Sequence, residues 1–147
     1  MPSSRKREPK AILDTNVWVS ALLWGRKPAE VVNAAEDRRV RIFISEEIVG
    51  EISRVLEYPK LKQAYQGAGL RRRDLMEAVL NVARLVKVSR RANVVAEHPA
   101  DDKFIECALA AHADYIVSGD RHLLKVARHE KILIMSVREF LEILEAG

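Results

Sequence analysis

Four acidic residues, Asp14, Glu51, Asp102 and Asp120, stand where carboxylates can do chemistry. Asp14 ends the apolar run Lys10-Ala11-Ile12-Leu13. Asp120 lies just past Tyr115-Ile116-Val117, across Ser118-Gly119. Asp101 and Asp102 open the helix that leads into that second run. Glu51 falls two turns into the helix after Arg41-Ile42-Phe43-Ile44, at the border of its apolar stripe between Ile48 and Val55. Carboxylates gathered in one place repel, each charge disfavouring ionisation of the next. A divalent cation offsets that repulsion, and an oxygen-only donor set suits Mg²⁺ or Mn²⁺. Such an ion activates water and stabilises charge on a phosphodiester undergoing in-line attack at phosphorus. Each acid also has a plainer reading. Asp102 and Asp120 lie near helix starts, where capping and the dipole favour acids, and Glu51 alone is an ordinary solvated helix charge. Asp14, closing a buried strand, is the one least explained by turn preference.

The elements around these acids alternate. Lys10 to Leu13 reads as a buried strand. A helix follows through Trp18, Leu22 and Leu23, capped by Asn16 and ended by Gly25, and Pro28 opens a second helix carrying Val31, Val32 and Ala35. Arg41 to Ile44 forms the second strand, and Ser45 caps a helix with Ile48, Ile52, Val55 and Leu56 on one stripe. Tyr58-Pro59 ends it. Residues 60–70, with Gly67 and Gly69, read as a loop. Leu75, Val79, Val82 and Val86 mark another helix, Leu85 to Val88 a short third strand, and Ala92 to Val95 an extended stretch. An Ala-rich helix runs from Asp101 to about His112, followed by a fourth strand at Tyr115 to Val117 and a short helix through Leu123, Leu124 and Val126. Ile132 to Ile134 is the fifth strand, and Ser136 with Glu139 makes a capping box for the last helix. Alternation with near-continuous apolar strands predicts a parallel sheet covered on both faces. Such sheets bind ligands outside the carboxyl ends of their strands, where the strand order reverses, and the acids sit at those ends.

The chain has 147 residues, 48% hydrophobic and 31% charged, which fits one globular domain and excludes wholesale disorder. Residues 1–9 read as a basic solvated tail carrying Ser3, Arg5, Lys6 and Arg7, unlike a signal peptide, and 10–147 as the domain. No apolar run approaches a membrane span. A single cysteine, Cys107, excludes an intrachain disulfide and a cysteine-built zinc site. A reducing, cytoplasmic setting is expected. Cys107, among Phe104, Ala108 and Ala111, reads as a small core residue. The four histidines, His98, His112, His122 and His129, lack the short paired spacing of a zinc helix and receive no role. The net charge of +4 favours polyanionic partners. Arg71-Arg72-Arg73 is the densest basic run, readable as a solvated helix start or as an RNA-tracking element. Trp18 and Trp24 read as core or dimer contacts.

Leu13-Asp14-Thr15-Asn16-Val17 resembles the opening motif of PIN-domain nucleases. Ser45-Glu46-Glu47-Ile48-Val49-Gly50-Glu51-Ile52 resembles the segment supplying their second acid, at Glu51. Asp101-Asp102-Lys103-Phe104-Ile105-Glu106-Cys107-Ala108 is similar to the third, with Asp102 as the acid and Asp101 competing for the position. Asp114-Tyr115-Ile116-Val117-Ser118-Gly119-Asp120 is similar to the fourth, with Asp120 as the acid. The resemblance runs from about Lys10 to Leu144 and is strongest to the VapC-like group, toxin components of toxin–antitoxin pairs. It implies a three-layer α/β/α fold with a central five-stranded parallel sheet, and Mg²⁺- or Mn²⁺-dependent hydrolysis of single-stranded RNA by a homodimer with a cognate antitoxin. It also implies that Thr15, Asn16 and Ser118 hydrogen-bond the acids or the ion's water. Glu106, one helical turn beyond Asp102, either adds a carboxylate or faces solvent. A receiver domain needs an acidic pair after the first strand and an acid closing the third. Thr15 and Asn16 follow Asp14, and Leu85 to Val88 ends without one. A phosphatase with a second Asp two residues after its nucleophile fails at Asn16. The remaining alternative is a catalytically silent PIN-like scaffold that binds RNA or a partner protein, against which four intact acids argue.

Overall fold

The computed structural model describes residues 8–147, so the basic residues Arg5, Lys6 and Arg7 of the expected tail, with Ser3, lie outside the described residues. The first strand, β1 (Lys10–Leu13), is buried over its last three residues and lies in the middle of the sheet. It is flanked on one side by β2 (Arg41–Ile44) and beyond that β3 (Arg84–Leu85). On the other side lie β4 (Tyr115–Val117), then β6 (Ile132–Met135), then β5 (Arg128–His129), giving the order β3-β2-β1-β4-β6-β5. All neighbours are parallel except β5 and β6. The chain therefore builds outward from β1 to β3, returns, and builds the other half from β4. The strand order reverses between β1 and β4, where a doubly wound sheet opens its binding crevice.

Two helices follow β1, namely α1 (Thr15–Leu23) and α2 (Arg26–Glu36). The next three, α3 (Glu46–Val55), α4 (Pro59–Gly67) and α5 (Arg72–Val82), separate β2 from β3. A 3₁₀ turn (Pro99–Asp101) leads into α6 (Asp102–Ala111), α7 (Arg121–Val126) follows β4, and α8 (Val137–Ala146) ends the fold. Helix α6 packs across β1, β2 and β4, while α2 packs against α1 and α8. The core is aliphatic, with Ile12, Leu13, Ile44, Ile48, Ile52, Ile105 and Ile116 fully buried around Trp18 and Phe140. Cys107 is buried among them, and burial pushes its thiol up to about 12, so it behaves as a small apolar filler.

Several expectations are corrected. The sheet has six strands, not five. The sixth, β5, pairs antiparallel with β6 through a two-residue hairpin whose Glu130 has φ 54, a conformation usually left to Gly or Asn and so without a turn signal in the sequence. Strand β3 covers only Arg84–Leu85, and pairing ends with the Val86 amide donating to the Ile44 carbonyl at 2.8 Å. The expected loop after Tyr58 is helix α4. Pro59 sits in its first turn, and Tyr65, 2% exposed, anchors it by donating from its hydroxyl to the Leu56 carbonyl at 2.9 Å. Gly69, at φ 79, lies just past its end. Helix α1 is capped by Asp14 rather than Asn16, which is exposed inside the first turn. The caps at Ser45 and at Ser136 with Glu139 are as the sequence predicts.

Candidate active site

Asp14 closes β1 and caps α1, and its carboxylate is almost entirely buried. Oδ1 accepts from the Val17 amide at 2.8 Å, and Oδ2 accepts from the Ser118 hydroxyl and, at 3.2 Å, from the Gly119 amide. Ser118 follows β4 and is itself buried. Its Oγ also accepts from the Asp120 amide at 2.9 Å. One hydroxyl thus ties the acid ending β1 to the acid beyond β4, across the point where strand order reverses. Burial pushes the Asp14 carboxyl above the usual aspartate value. The Asp120 charge adds to this, and the three hydrogen bonds oppose it.

Asp120 caps α7, its Oδ1 accepting from the His122 amide at 2.6 Å. Asp101 comes up to it from the end of the 3₁₀ turn. Asp101 is buried and caps nothing through its side chain, and its Oδ2 has no hydrogen-bond partner. His98 Nδ1 stands 3.0 Å from that oxygen without the geometry of a hydrogen bond. Burial raises the Asp101 carboxyl, the His98 ring opposes this, and the neighbouring Asp120 raises it further. Asp120 is held below the ordinary value. Burial works against its ionisation, but the His122 amide, the Asp101 carboxyl and the His122 ring outweigh it. Neighbouring carboxyls push one another's proton affinities apart in this way when no cation separates them. A buried carboxylate oxygen without a donor, facing a second carboxylate, is a donor set that fits a divalent cation.

Glu51 projects from α3 and accepts from the Thr15 hydroxyl at Oε1. Its Oε2 meets the Lys103 ammonium at 3.1 Å. Lys103 is 7% exposed and also donates to the Ala100 carbonyl. A buried lysine needs such partners. Nothing in the sequence marks Lys103 beyond its place inside an acidic motif.

The structure separates Asp101 from Asp102. The Asp102 Oδ1 accepts from the backbone amides of Val94 and Val95, each at 2.9 Å. Glu106, one turn on, is buried, and accepts from the Ala92 amide at 3.0 Å and from Arg91 at 3.2 Å. These two acids hold down the segment before the 3₁₀ turn. Asp101, Asp120, His98 and His122 come together instead, one donor atom from each lying within 4.8 Å of the others. The two histidines are functional candidates that the sequence analysis passed over, although each is within three residues of an acid. The Arg71-Arg72-Arg73 run is exposed and internally paired, Arg71 with Asp74, Arg72 with Glu57 and Arg73 with Glu77. A cleft beside Asp14 is lined by Asn16, Ser20, Lys27, Ser118, Gly119 and Arg138. No helix among the described residues is long and apolar enough to cross a membrane.

Comparison with known proteins agrees with this fold. A family model described as PIN domain matches residues 10–122. Uncharacterized protein MJ1680 of Methanocaldococcus jannaschii is 28% identical over 134 residues, covering 90% of this chain and 84% of that protein. A chain in the crystal structure of VapBC2 from Rickettsia felis, bound to a DNA fragment from its promoter, aligns with a TM-score of 0.59 at 14% identity. The alignment covers 85% of this chain and 96% of that one, a likeness of fold.

Proposed function

The chain belongs to the PIN-domain family, and on that premise we propose that it is a metal-dependent endoribonuclease that hydrolyses single-stranded RNA as the toxin of a toxin–antitoxin pair. The observation that carries the catalytic part is the buried Asp14–Ser118–Asp120 linkage at the strand-order reversal, with the unpartnered Asp101 oxygen facing Asp120. Asp14, Asp101 and Asp120 would hold Mg²⁺ or Mn²⁺, with Glu51 supplying a further carboxylate beside Thr15. When bound, the ion supplies charge neutralisation and Lewis acidity toward a phosphodiester.

The chain's own residues do the rest. Ser118 fixes the orientation of Asp14, Thr15 that of Glu51, and Lys103 balances the Glu51 charge until substrate arrives. Lys27 and Arg138 flank the cleft next to Asp14 and suit a phosphate chain. Water adds to phosphorus as one P–O bond breaks, and its proton ends on the leaving oxygen. Asp101 takes the third acidic position in this reading, and Asp102 holds the adjoining loop. The toxin assignment, with an antitoxin partner, takes its support from the fold likeness to VapBC2, and a homodimeric state and a cytoplasmic setting are further parts of this proposal.

The test is incubation of the purified chain with defined single-stranded RNAs in Mn²⁺, in Mg²⁺ and in chelator. Cleavage is expected only with metal. Asp14→Asn and Asp120→Asn should each lose more than the roughly 10–100-fold that even an outer-sphere partner of a metal is worth. RNA left intact under every metal condition would leave the scaffold reading in its place.

A further inference from the structure

We propose that His98, Asp101, Asp120 and His122 form a mixed nitrogen–oxygen site for a first-row transition ion, held in preference to Mg²⁺. This deepens the nuclease reading and rests on it where Asp101 and Asp120 serve both.

The local backbone explains why the four meet. His98 precedes the 3₁₀ turn, and its carbonyl accepts from the Asp101 amide at 2.9 Å. That bond folds the chain back so that the His98 Nδ1 lies 3.0 Å from the Asp101 Oδ2. On the facing element Asp120 caps α7 and His122 is the residue whose amide it accepts, so the cap itself draws the His122 ring to the acid, Nδ1 to Oδ1 at 3.3 Å. The two rings stack with centroids 5.1 Å apart and planes 14° from parallel.

All four donor atoms lie within 4.8 Å of one another. Donors sharing one ion at about 2.1 Å stand roughly 3–4 Å apart, so small rotations about the side-chain torsions complete the set. The buried Oδ2 of Asp101 accepts no hydrogen bond, and the atom set against it at 3.0 Å is the His98 Nδ1 of the same donor set, an arrangement that a shared cation would satisfy. The half-exposed His98 leaves a way in from solvent. Imidazole nitrogen favours Co²⁺, Ni²⁺, Cu²⁺ or Zn²⁺, whereas Mg²⁺ prefers oxygen and retains its water.

The experiment is calorimetric titration of the full chain with Co²⁺ and with Mg²⁺, alongside nitrogen hyperfine spectroscopy of the Cu²⁺-loaded protein. Wild type should bind Co²⁺ more tightly than Mg²⁺ and show imidazole coupling to Cu²⁺. His98→Ala/His122→Ala should lose on the order of 10–100-fold in Co²⁺ affinity, keep its Mg²⁺ affinity, and lose the nitrogen signal. His98→Gln/His122→Gln keeps the polar volume and should behave the same way, which separates loss of ligands from loss of fold. Unchanged Co²⁺ affinity in either folded double variant, or no nitrogen coupling in wild type, overturns the proposal. RNA cleavage in Mg²⁺ is followed in parallel. Cleavage without any histidine dependence of Co²⁺ binding refutes the mixed site and leaves the nuclease. Histidine-dependent Co²⁺ binding without cleavage in any metal upholds the site and refutes the nuclease.

Discussion

At the scale of single residues, the choice between Asp101 and Asp102 has consequences that solution measurements can separate. Asp101 is buried, its Oδ2 is unpartnered, and its carboxyl is raised by burial and by Asp120. A raised folded value means that the folded chain binds more protons than the unfolded one between the two values. The stability this confers is therefore complete below the unfolded value near 3.8 and lost as pH rises through the folded one. Metal-free Asp101→Asn should thus melt higher than wild type at pH 7. The gap should close as pH falls toward 3.8. Saturating Mn²⁺ should reverse the order, because wild type gains about 2.7 kcal/mol at a hundredfold excess over Kd and the variant does not. Thermal melts across pH, with and without metal, read all three outcomes, and a variant no more stable than wild type at neutral pH would contradict the account. Asp14, Asp120 and Glu51 were legible as candidates because each sits at a strand end or on a stripe border; the structure joins Asp14 to Asp120 through Ser118, while Glu51 pairs with Thr15 and Lys103. Asp101 and Asp102 were not separable, since adjacent helical positions differ by about 100° of rotation and the sequence leaves the phase open. The structure starts α6 one residue later than expected, at Asp102, which turns that carboxylate to the loop and leaves Asp101 at the site.

At the scale of elements, the segment from Val86 to His98 is the part of the fold with least regular structure, and α6 holds it down. Asp102 takes two of its backbone amides and Glu106 a third. Buried amides that lose their acceptor each cost about 1–3 kcal/mol. Asp102→Ala should therefore lower unfolding stability by roughly 2–5 kcal/mol from its two amides, and Glu106→Ala by about half as much. Denaturant melts measure both, and amide exchange should quicken at Val94 and Val95 in the first variant and at Ala92 in the second. Mn²⁺ affinity should fall far less in Asp102→Ala than in Asp101→Ala. The same comparison shows which elements a sequence can announce. Buried strands β1, β2, β4 and β6 carry unbroken apolar runs, and α3 and α8 carry both a cap and a stripe, so all were readable. Helix α4 has only Leu61 and Tyr65 as apolar anchors and no side-chain cap at Tyr58, so its glycines dominated the reading. Strand β5, two residues long, is too short for any periodicity and exists because an edge was already there to pair with, whereas β3, expected at Leu85 to Val88, was readable but is shorter and starts one residue earlier.

At the scale of the whole molecule, the question is where the net charge of +4 acts. The densest basic run, Arg71 to Arg73, is spent locally, since each guanidinium already faces a carboxylate, Asp74 and Glu77 in α5 and Glu57 in the turn after α3. Exposed pairs of this kind are worth little to stability, but they cancel charge that would otherwise draw a polyanion. Lys27 and Arg138 differ. Both are exposed, neither makes a salt bridge among the described residues, and both line the cleft that opens beside Asp14. They come from α2 and α8, which pack on each other, so the two cations are held at one mouth of the crevice by the fold itself. A single strand bound there releases about 0.7 counterion per phosphate neutralised. Lys27→Ala/Arg138→Ala, placed in an Asp14→Asn background so that RNA stays intact, should therefore reduce the slope of log affinity against log salt by about 1.4. Arg71→Ala/Arg72→Ala/Arg73→Ala should change it by less than half of that, because those guanidiniums are engaged by Asp74, Glu57 and Glu77 rather than by phosphate. Fluorescence anisotropy of a labelled single-stranded RNA, titrated at several salt concentrations, gives both slopes. If the triple variant loses more slope than the double, RNA runs over α5 instead, and the cleft beside Asp14 is not its track.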